Sequence, residues 1–364
     1  MRILHLGFED PAMPGAGGGS VRTHEINRRL ATQGFSITVL TTRYPGWAER
    51  TQDGVHYVPI GFGQGRNRLT RLLSYILRLP VESRQRRDGM DLVVEDFFAP
   101  FSTMAAPAWT GRPTLAMVQW LHARDKARQY KLPLHWLELM GVRRHRRAIA
   151  VSQGIADRLA AMNPALHTEV IGNGVDPEAW KQDPRPGRDV LYIGRLEFGA
   201  KGLDLLIEAW RQCIDRMDGN LLIAGTGPDE EKLRGAIMKA GLSGRVRLMG
   251  WLSGEPKFRA MANARLVVVP SRQETFGLVA LEALAVGTPV VAFRIPCLRE
   301  IVPEGTGWLV PPFHAAALAD ELVLRYPQAG TEDLAGACRE FARRFDWDSL
   351  AELQARAYRS ATAA

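Results

Sequence analysis

The chain has 364 residues, of which 46% are hydrophobic and 24% charged, with a formal net charge of +8. That length exceeds what one ordinary hydrophobic core organises and suits two domains of roughly 170 to 180 residues, and the composition excludes a disordered or fibrous chain. No apolar run approaches the roughly 18 residues that a membrane-spanning helix needs.

The opening segment Met1-Arg-Ile-Leu-His-Leu-Gly7 reads as a first buried strand and not as a signal peptide, so a cytoplasmic location is expected. Gly15-Ala-Gly-Gly-Gly19 then precedes an amphipathic segment over 24–30 and a strand over 36–41. In a dinucleotide-dependent oxidoreductase the glycine turn directly follows the first strand and an acidic residue closes the second. Here Gly15 comes well after Gly7 and that acidic residue is missing, which weighs against an oxidoreductase.

Next comes a basic stretch with Arg66, Arg68, Arg71 and Arg78 beside the apolar Leu69, Leu72, Leu73, Ile76 and Leu77. Arg84, Arg86 and Arg87 follow, and later Arg143, Arg144, Arg146 and Arg147. Residues 1–172 carry 23 basic against 14 acidic side chains, whereas residues 173–364 carry 24 against 25. The excess is entirely N-terminal, as an acidic partner or an anionic membrane face would require, although solvated helix faces would give the same count. A nucleic-acid-binding module is not indicated, because basic and aromatic residues do not interleave. Glu95 and Asp96 close one apolar run and could touch a ligand or cap a strand end. The strand over 114–118 leads to His122.

The second half repeats the order of apolar strand, Gly-containing turn and amphipathic helix, so the fold class is α/β with doubly wound parallel sheets. The boundaries are expected at 1–172 for the first domain and 173–345 for the second, with 346–364 a terminal helix. The most informative stretch is 271–292. Its apolar strand 266–269 ends in Pro270-Ser271, and a helix begins near Phe276 or Gly277. Glu274 falls in the loop, and Glu282 lies seven residues further, inside an apolar helix face where an unpaired carboxylate is costly to desolvate. The amides of Phe276, Gly277 and Leu278 stand at a helix N-terminus, which favours an anion such as phosphate. Two carboxylates suit sugar hydroxyls; alternatively Glu282 is salt-bridged to an arginine and Glu274 is a solvated loop residue. Three cysteines, Cys213, Cys297 and Cys338, have neither metal nor redox spacing and read as reduced thiols.

Ser271-Arg-Gln-Glu-Thr-Phe-Gly-Leu-Val-Ala-Leu-Glu282 resembles the signature of family 4 glycosyltransferases. Six further segments resemble the same family in register. They are the Gly15–Gly19 run, Val151-Ser-Gln-Gly, Ile171-Gly-Asn-Gly-Val-Asp176, Tyr192-Ile-Gly-Arg-Leu196 with Lys201-Gly-Leu-Asp, Leu222-Ile-Ala-Gly-Thr-Gly-Pro228, and Val246-Arg-Leu-Met-Gly-Trp251. The resemblance implies the GT-B fold, two Rossmann-like domains facing each other across a cleft, with the terminal helix crossing back to the first. It implies retaining transfer from a nucleotide-sugar, UDP-linked by default, to a hydroxyl acceptor, which the basic first domain suggests is acidic or lipid-linked. Arg195 and Lys201 then bind the diphosphate, with Gly17 and Gly18 approaching it from the first domain. Glu282 takes the ribose, and Glu274 takes the sugar with Thr275, Phe276, Gly277 and Leu278. Gly194 belongs to the phosphate-binding turn, Gly225, Met249 and Leu252 surround the base, and His122 lies near the transferred sugar.

Retention implies same-face attack, with the departing phosphate taking the acceptor proton. His24 stands where inverting relatives keep a general base, a role the paired glutamates disfavour. Pro296 and Cys297 depart from the family's usual glycine pair, and Glu300 is expected at a helix start. No Asp-X-Asp motif lies in an active-site loop, since Asp346-Trp-Asp348 opens the terminal helix; no metal or other cofactor is therefore expected. A nucleotide-sugar epimerase or a non-catalytic nucleotide-sugar-binding protein is the alternative. The 40 arginines against 7 lysines suggest a GC-rich bacterial genome.

Overall fold

The computed structural model describes residues 1–14, 16–97, 106–121 and 134–363, so Gly15 and His122 lie outside the described residues. The chain divides into two compact units, Met1–Gly174 with Trp347–Ala364, and Val175–Asp346.

Unit 1 is built on a sheet of β1 (Arg2–Leu6), β2 (Ser36–Thr42), β3 (Arg50–Gln52), β4 (Val55–Ile60), β5 (Leu92–Asp96), β6 (Thr114–Val118), β7 (Arg147–Ala150) and β8 (His167–Val170). The strand order is β3-β4-β2-β1-β5-β6-β7-β8, parallel except where β3 folds back on β4. Its helices are α1 (Gly18–Thr32), α2 (Arg68–Arg86), α3 (Ala106–Thr110), α4 (Leu134–Arg144) and α5 (Gln153–Met162). Helix α1 starts six residues before the apolar periodicity does. Its first turn is Gly-rich and its Val21 is exposed, so hydrophobic spacing does not mark it.

Unit 2 has the parallel strands β9 (Val190–Ile193), β10 (Leu221–Ala224), β11 (Val246–Gly250), β12 (Leu266–Val269), β13 (Val290–Phe293) and β14 (Gly307–Val310). They lie in the order β11-β10-β9-β12-β13-β14. The intervening helices are α6 (Pro177–Trp180), α7 (Phe198–Lys201), α8 (Leu203–Cys213), α9 (Glu230–Lys239), α10 (Gly254–Ala262), α11 (Leu278–Ala285), α12 (Pro296–Ile301), α13 (Ala315–Arg325) and α14 (Glu332–Ala342). Every residue of β12 is buried, as a parallel strand covered on both faces requires. In α8 the buried Leu203, Leu206, Ile207 and Trp210 repeat at helical spacing and form one apolar stripe.

The direction of winding reverses between β9 and β12, and the loops after those two strands form the switch point where open parallel sheets bind ligands. The final helix α15 (Trp347–Thr362) packs on α1 within unit 1. There the fully buried Arg22 donates to Gln354 Oε1 at 2.9 Å and to the Ile171 carbonyl at 3.1 Å. Burial drives the Arg22 pKa down to about 10. Among the described residues no helix is long and apolar enough to cross a membrane.

Candidate active site

The loop after β12 turns into α11 through Gly277, whose φ of +93° is the left-handed region that a side chain disfavours. A Cβ there would also meet Leu298 Cδ2 at 2.8 Å. The turn leaves the first amides of α11 open: among the described residues nothing accepts from the N–H groups of Phe276, Gly277 or Leu278. They form the positive end of a helix dipole beside a carboxylate.

That carboxylate is Glu274. Its Oε1 accepts from Lys201 Nζ at 2.5 Å and from Ser271 Oγ at 2.8 Å. Two residues assigned to different parts of a donor, the diphosphate and the sugar, therefore meet directly at the switch point. The Glu274 carbonyl accepts a hydrogen bond from the Cys297 thiol at 3.4 Å, so the Pro296-Cys297 turn holds this loop from beneath. Burial pushes the Cys297 thiol up to about 12, so it is not a thiolate at neutral pH. Cys213 and Cys338 are free and buried too, and burial likewise raises them to about 12.

Glu282 is 3% exposed, on the inner face of α11. Its partner is Lys257 of α10, Nζ to Oε1 at 2.6 Å, and not the arginine of the alternative reading. Oε2 has no partner. Burial raises the Glu282 pKa above the usual carboxylate range, Lys257 opposes this, and nearby Asp176 adds to the rise. A buried acceptor left open in this way is a place for a ligand's hydroxyl.

Next to it is a cavity of about 250 Å³. Its walls include Gly194 and Gly225 from two strand ends, Trp251, Leu252 and Ser253 after β11, Lys257, Val279 and Asp176. Lys257 and Val279 flank Glu282, one as its ion-pair partner and the other one turn earlier on α11. Gly225 is required by contact, since a Cβ would come within 1.8 Å of the Gly194 carbonyl oxygen. The ends of β9 and β10 thus approach each other closely at the cavity wall, which Ile193, Phe258 and Val279 also line. Gly194, Gly225 and Leu252 line the cavity; Met249 does not, and lies exposed on β11. Arg195 is 67% exposed and only loosely engaged, Nε to Glu197 Oε2 at 3.6 Å, so its guanidinium can swing to an anion.

The structure changes several expectations in unit 1. Glu95 is fully buried and accepts from His145 Nε2 at 2.8 Å, while Asp96 pairs with His5 Nε2 at 3.1 Å and Thr23 Oγ1 at 3.3 Å. Glu95 serves the core, and Asp96, partly exposed, is held by its neighbours in unit 1. His24 is held by the Tyr57 hydroxyl at 2.8 Å and Asp53 at 3.1 Å, a structural histidine joining α1 to the β3–β4 hairpin. The Gly17 amide already donates to Glu9 Oε2 at 2.8 Å, and no residue caps α1 by its side chain. In unit 2, Glu300 sits in the last turn of α12, not at its start, because Pro296 takes the first helical position and Ile295 the cap. Sequence reasoning missed Lys257, Trp251 and Asp176; the demand that Glu282 have a partner was the one signal pointing to a cation such as Lys257.

Residues 16–179 match the family model described as Glycosyltransferase Family 4, and residues 187–325 match the one described as Glycosyl transferases group 1. The phosphatidyl-myo-inositol mannosyltransferase of Mycobacterium leprae is 37% identical over 200 residues, which cover 52% of this chain and 52% of that protein. The chain thus spans about half the length of that relative. The glycogen synthase of Mycobacterium tuberculosis is 29% identical over 399 residues, covering 99% of this chain and 95% of that protein. Among solved structures, sucrose-phosphate synthase from Thermosynechococcus elongatus superposes with a TM-score of 0.81 at 22% identity, covering 100% and 99% of the two chains. Anabaena Alr3699/HepE in complex with UDP-glucose gives 0.74 at 20% identity, covering 99% and 100%. These structural likenesses establish the fold.

Proposed function

The chain belongs to glycosyltransferase family 4 and has the GT-B fold, and we propose that it transfers a hexose or N-acetylhexosamine, with retention, from a UDP-sugar to a hydroxyl acceptor. The observation that carries the donor site is the juxtaposition at the β9–β12 switch point. Lys201, Glu274 and the open α11 amides meet there, beside a cavity flanked by a buried carboxylate with one unpartnered oxygen.

On this reading the base enters the cavity over the Gly194 and Gly225 backbone, against Leu252 and Trp251. Ribose hydroxyls donate to Glu282 Oε2. The diphosphate meets Lys201, Arg195 and the amides of Phe276, Gly277 and Leu278, and Glu274 accepts from the sugar hydroxyls. As the glycosidic bond breaks, charge gathers on the departing phosphate, and cations already aimed at it lower the barrier without reorganising. The same phosphate takes the acceptor proton, and no metal ion is needed; chelation with no loss of activity is the expected outcome, and rescue by magnesium or manganese would contradict it. UDP is favoured over other bases because the HepE structure named above is a complex with UDP-glucose.

The acceptor is read as lipid-linked or acidic, with the enzyme docking peripherally on an anionic membrane. One relative is named for phosphatidyl-myo-inositol, and α2 supports the same idea. Its outward side is apolar: Leu69 is 61% exposed and Leu77 69%, with Leu73 and Val81 on the same stripe. Arg84 falls on that side and Arg78 at its edge, with Arg66 just before the helix, a pattern that suits insertion at an anionic interface, whereas Arg71 turns inward to Met13. Leu72, by contrast, is buried and belongs to the core. Co-sedimentation with anionic vesicles, lost in a Leu73→Ser, Leu77→Ser double variant, is expected; no binding at low salt removes the membrane from the reading.

The donor assignment is tested by calorimetry and thermal shift against UDP, GDP, ADP, TDP and their sugar conjugates, with wild type beside Glu282→Ala and Lys201→Ala. One diphosphate class should bind and be weakened in both variants. Failure of every nucleotide to bind would refute it. Sugar transfer to an added acceptor, against hydrolysis or epimerisation alone, separates a transferase from the epimerase alternative.

A further inference from the structure

Lys201 ends α7, a helix of four residues. One helical turn does not hold itself in water, since nucleation is unfavourable until several further hydrogen bonds form. The position of the Lys201 ammonium must therefore be imposed from outside, and the structure shows by what. The amides of Arg272 and Gln273, in the loop after β12, both donate to the Ala200 carbonyl, at 2.9 and 3.1 Å. The Arg272 guanidinium donates to the Phe198 carbonyl at 2.9 Å and grips Asp204 as a fork, Nη1 to Oδ1 and Nη2 to Oδ2, each at 2.7 Å. Asp204 is in the first turn of α8, so the fork spans α7 from its first residue to the helix that follows. Between them Gly202 passes so close to β12 that a Cβ would lie 2.0 Å from the Pro270 carbonyl oxygen.

Burial alone would raise the Asp204 carboxyl. The hydrogen bonds and charge of Arg272 override that and hold it below the usual range, while Arg272 itself is raised by Asp204. The pair is thus charged and bidentate, the geometry in which a guanidinium fixes direction as well as distance. The loop that Arg272 belongs to also carries Glu274, two residues on. One side chain therefore joins the Lys201 turn to the Glu274 loop.

We propose that Arg272 and Asp204 are a positioning pair: their fork sets the Lys201 ammonium against Glu274, and so sets affinity for the donor diphosphate without touching it. This rests on the donor-site reading above.

The test is a double-mutant cycle read by calorimetry, with UDP and GDP titrated in parallel. Asp204→Asn leaves the Arg272 charge in place and breaks the fork; the diphosphate Kd should rise about 3- to 10-fold, with the unfolding temperature kept within about 2 °C of wild type. In a Lys201→Ala background the same substitution should change Kd by less than about twofold, because the group it positions is gone. Arg272→Lys keeps the charge but loses the fork, and should behave as Asp204→Asn does. Unchanged or tighter binding in Asp204→Asn would show that Arg272 does not act through the fork. An equal loss with and without Lys201, or wild-type binding in Arg272→Lys, would overturn the proposal as well. The underlying donor reading fails by a different sign, namely wild-type diphosphate binding in Lys201→Ala alone.

Discussion

Both units place carboxylates at the carboxyl ends of parallel strands beside a switch point, yet the two sets do opposite things. In unit 1, Glu95 and Asp96 end β5 and are consumed by His145, His5 and Thr23. In unit 2, Glu274 follows β12 and pairs with a half-buried lysine, and Glu282 keeps one buried oxygen without a partner beside a cavity. The same topological position thus yields core structure in one unit and a ligand site in the other. What separates them is satisfaction: a carboxylate whose acceptors are all occupied by its own protein has nothing left for a substrate, whereas an open buried acceptor has lost water and gains by binding.

The largest expected effect lies on the unit 2 side of this contrast. Lys201→Ala should lower kcat/KM by about 100- to 1,000-fold, the scale of losing one preorganised group facing developing charge. Steady-state kinetics beside an unfolding curve would show the loss without a matching loss of stability.

The next effect belongs to unit 1 and should be one of stability alone. Glu95→Gln breaks a buried pair and should destabilise by roughly 3 kcal/mol, with the diphosphate Kd unchanged. The His145 pKa carries the sign. Burial lowers it, but the bond to Glu95 outweighs burial and raises it above the ordinary 6.5. A raised histidine contributes stability that is complete below its unfolded value and is lost as pH rises through the folded one. Wild type should therefore lose part of its stability as pH increases beyond 6.5, and Glu95→Gln should not. Denaturant melts across that range decide it, and a changed diphosphate affinity would erase the distinction between the units.

Glu282→Gln should run the other way. Removing the charge should weaken diphosphate binding about tenfold, the scale of a charged hydrogen bond, while raising the melting temperature at neutral pH. The Glu282 carboxyl is raised above its ordinary 4.5, so the folded state holds its proton more tightly than the unfolded state does. Wild type then loses stability as pH rises above that value, and the advantage of the glutamine variant should shrink as pH falls towards it. A variant less stable than wild type at pH 7.5 would mean that the Lys257 pair outweighs the desolvation. The smallest effect should come from His24→Gln, below about twofold in kcat/KM, as for a side chain outside the site.

Much of the site was legible because its residues sit in loops whose backbone demands are local. Gly277 and the strand-to-helix turn at Ser271 leave marks within ten residues, and the apolar face of α11 announces Glu282 as an oddity. The first turns of α1 left no such mark, since Gly17, Gly18 and Gly19 carry no periodicity. The partners themselves were not legible: Glu95 meets His145, just past the end of α4, and Glu274 meets Lys201, and no spacing points to either.

The sequence by itself determined the alternation of buried strands and amphipathic helices, the family, and which carboxylates and cations had to be explained. These follow from period, turn chemistry and the cost of burying charge, all of which act over a few residues. Tertiary structure alone decided that Lys257 and not an arginine answers Glu282, that Lys201 meets Glu274, and that Arg272 grips Asp204. Each of those pairs joins segments 25 to 73 residues apart, and it is the packing of strands, loops and helices, not any local preference, that brings them within a hydrogen bond.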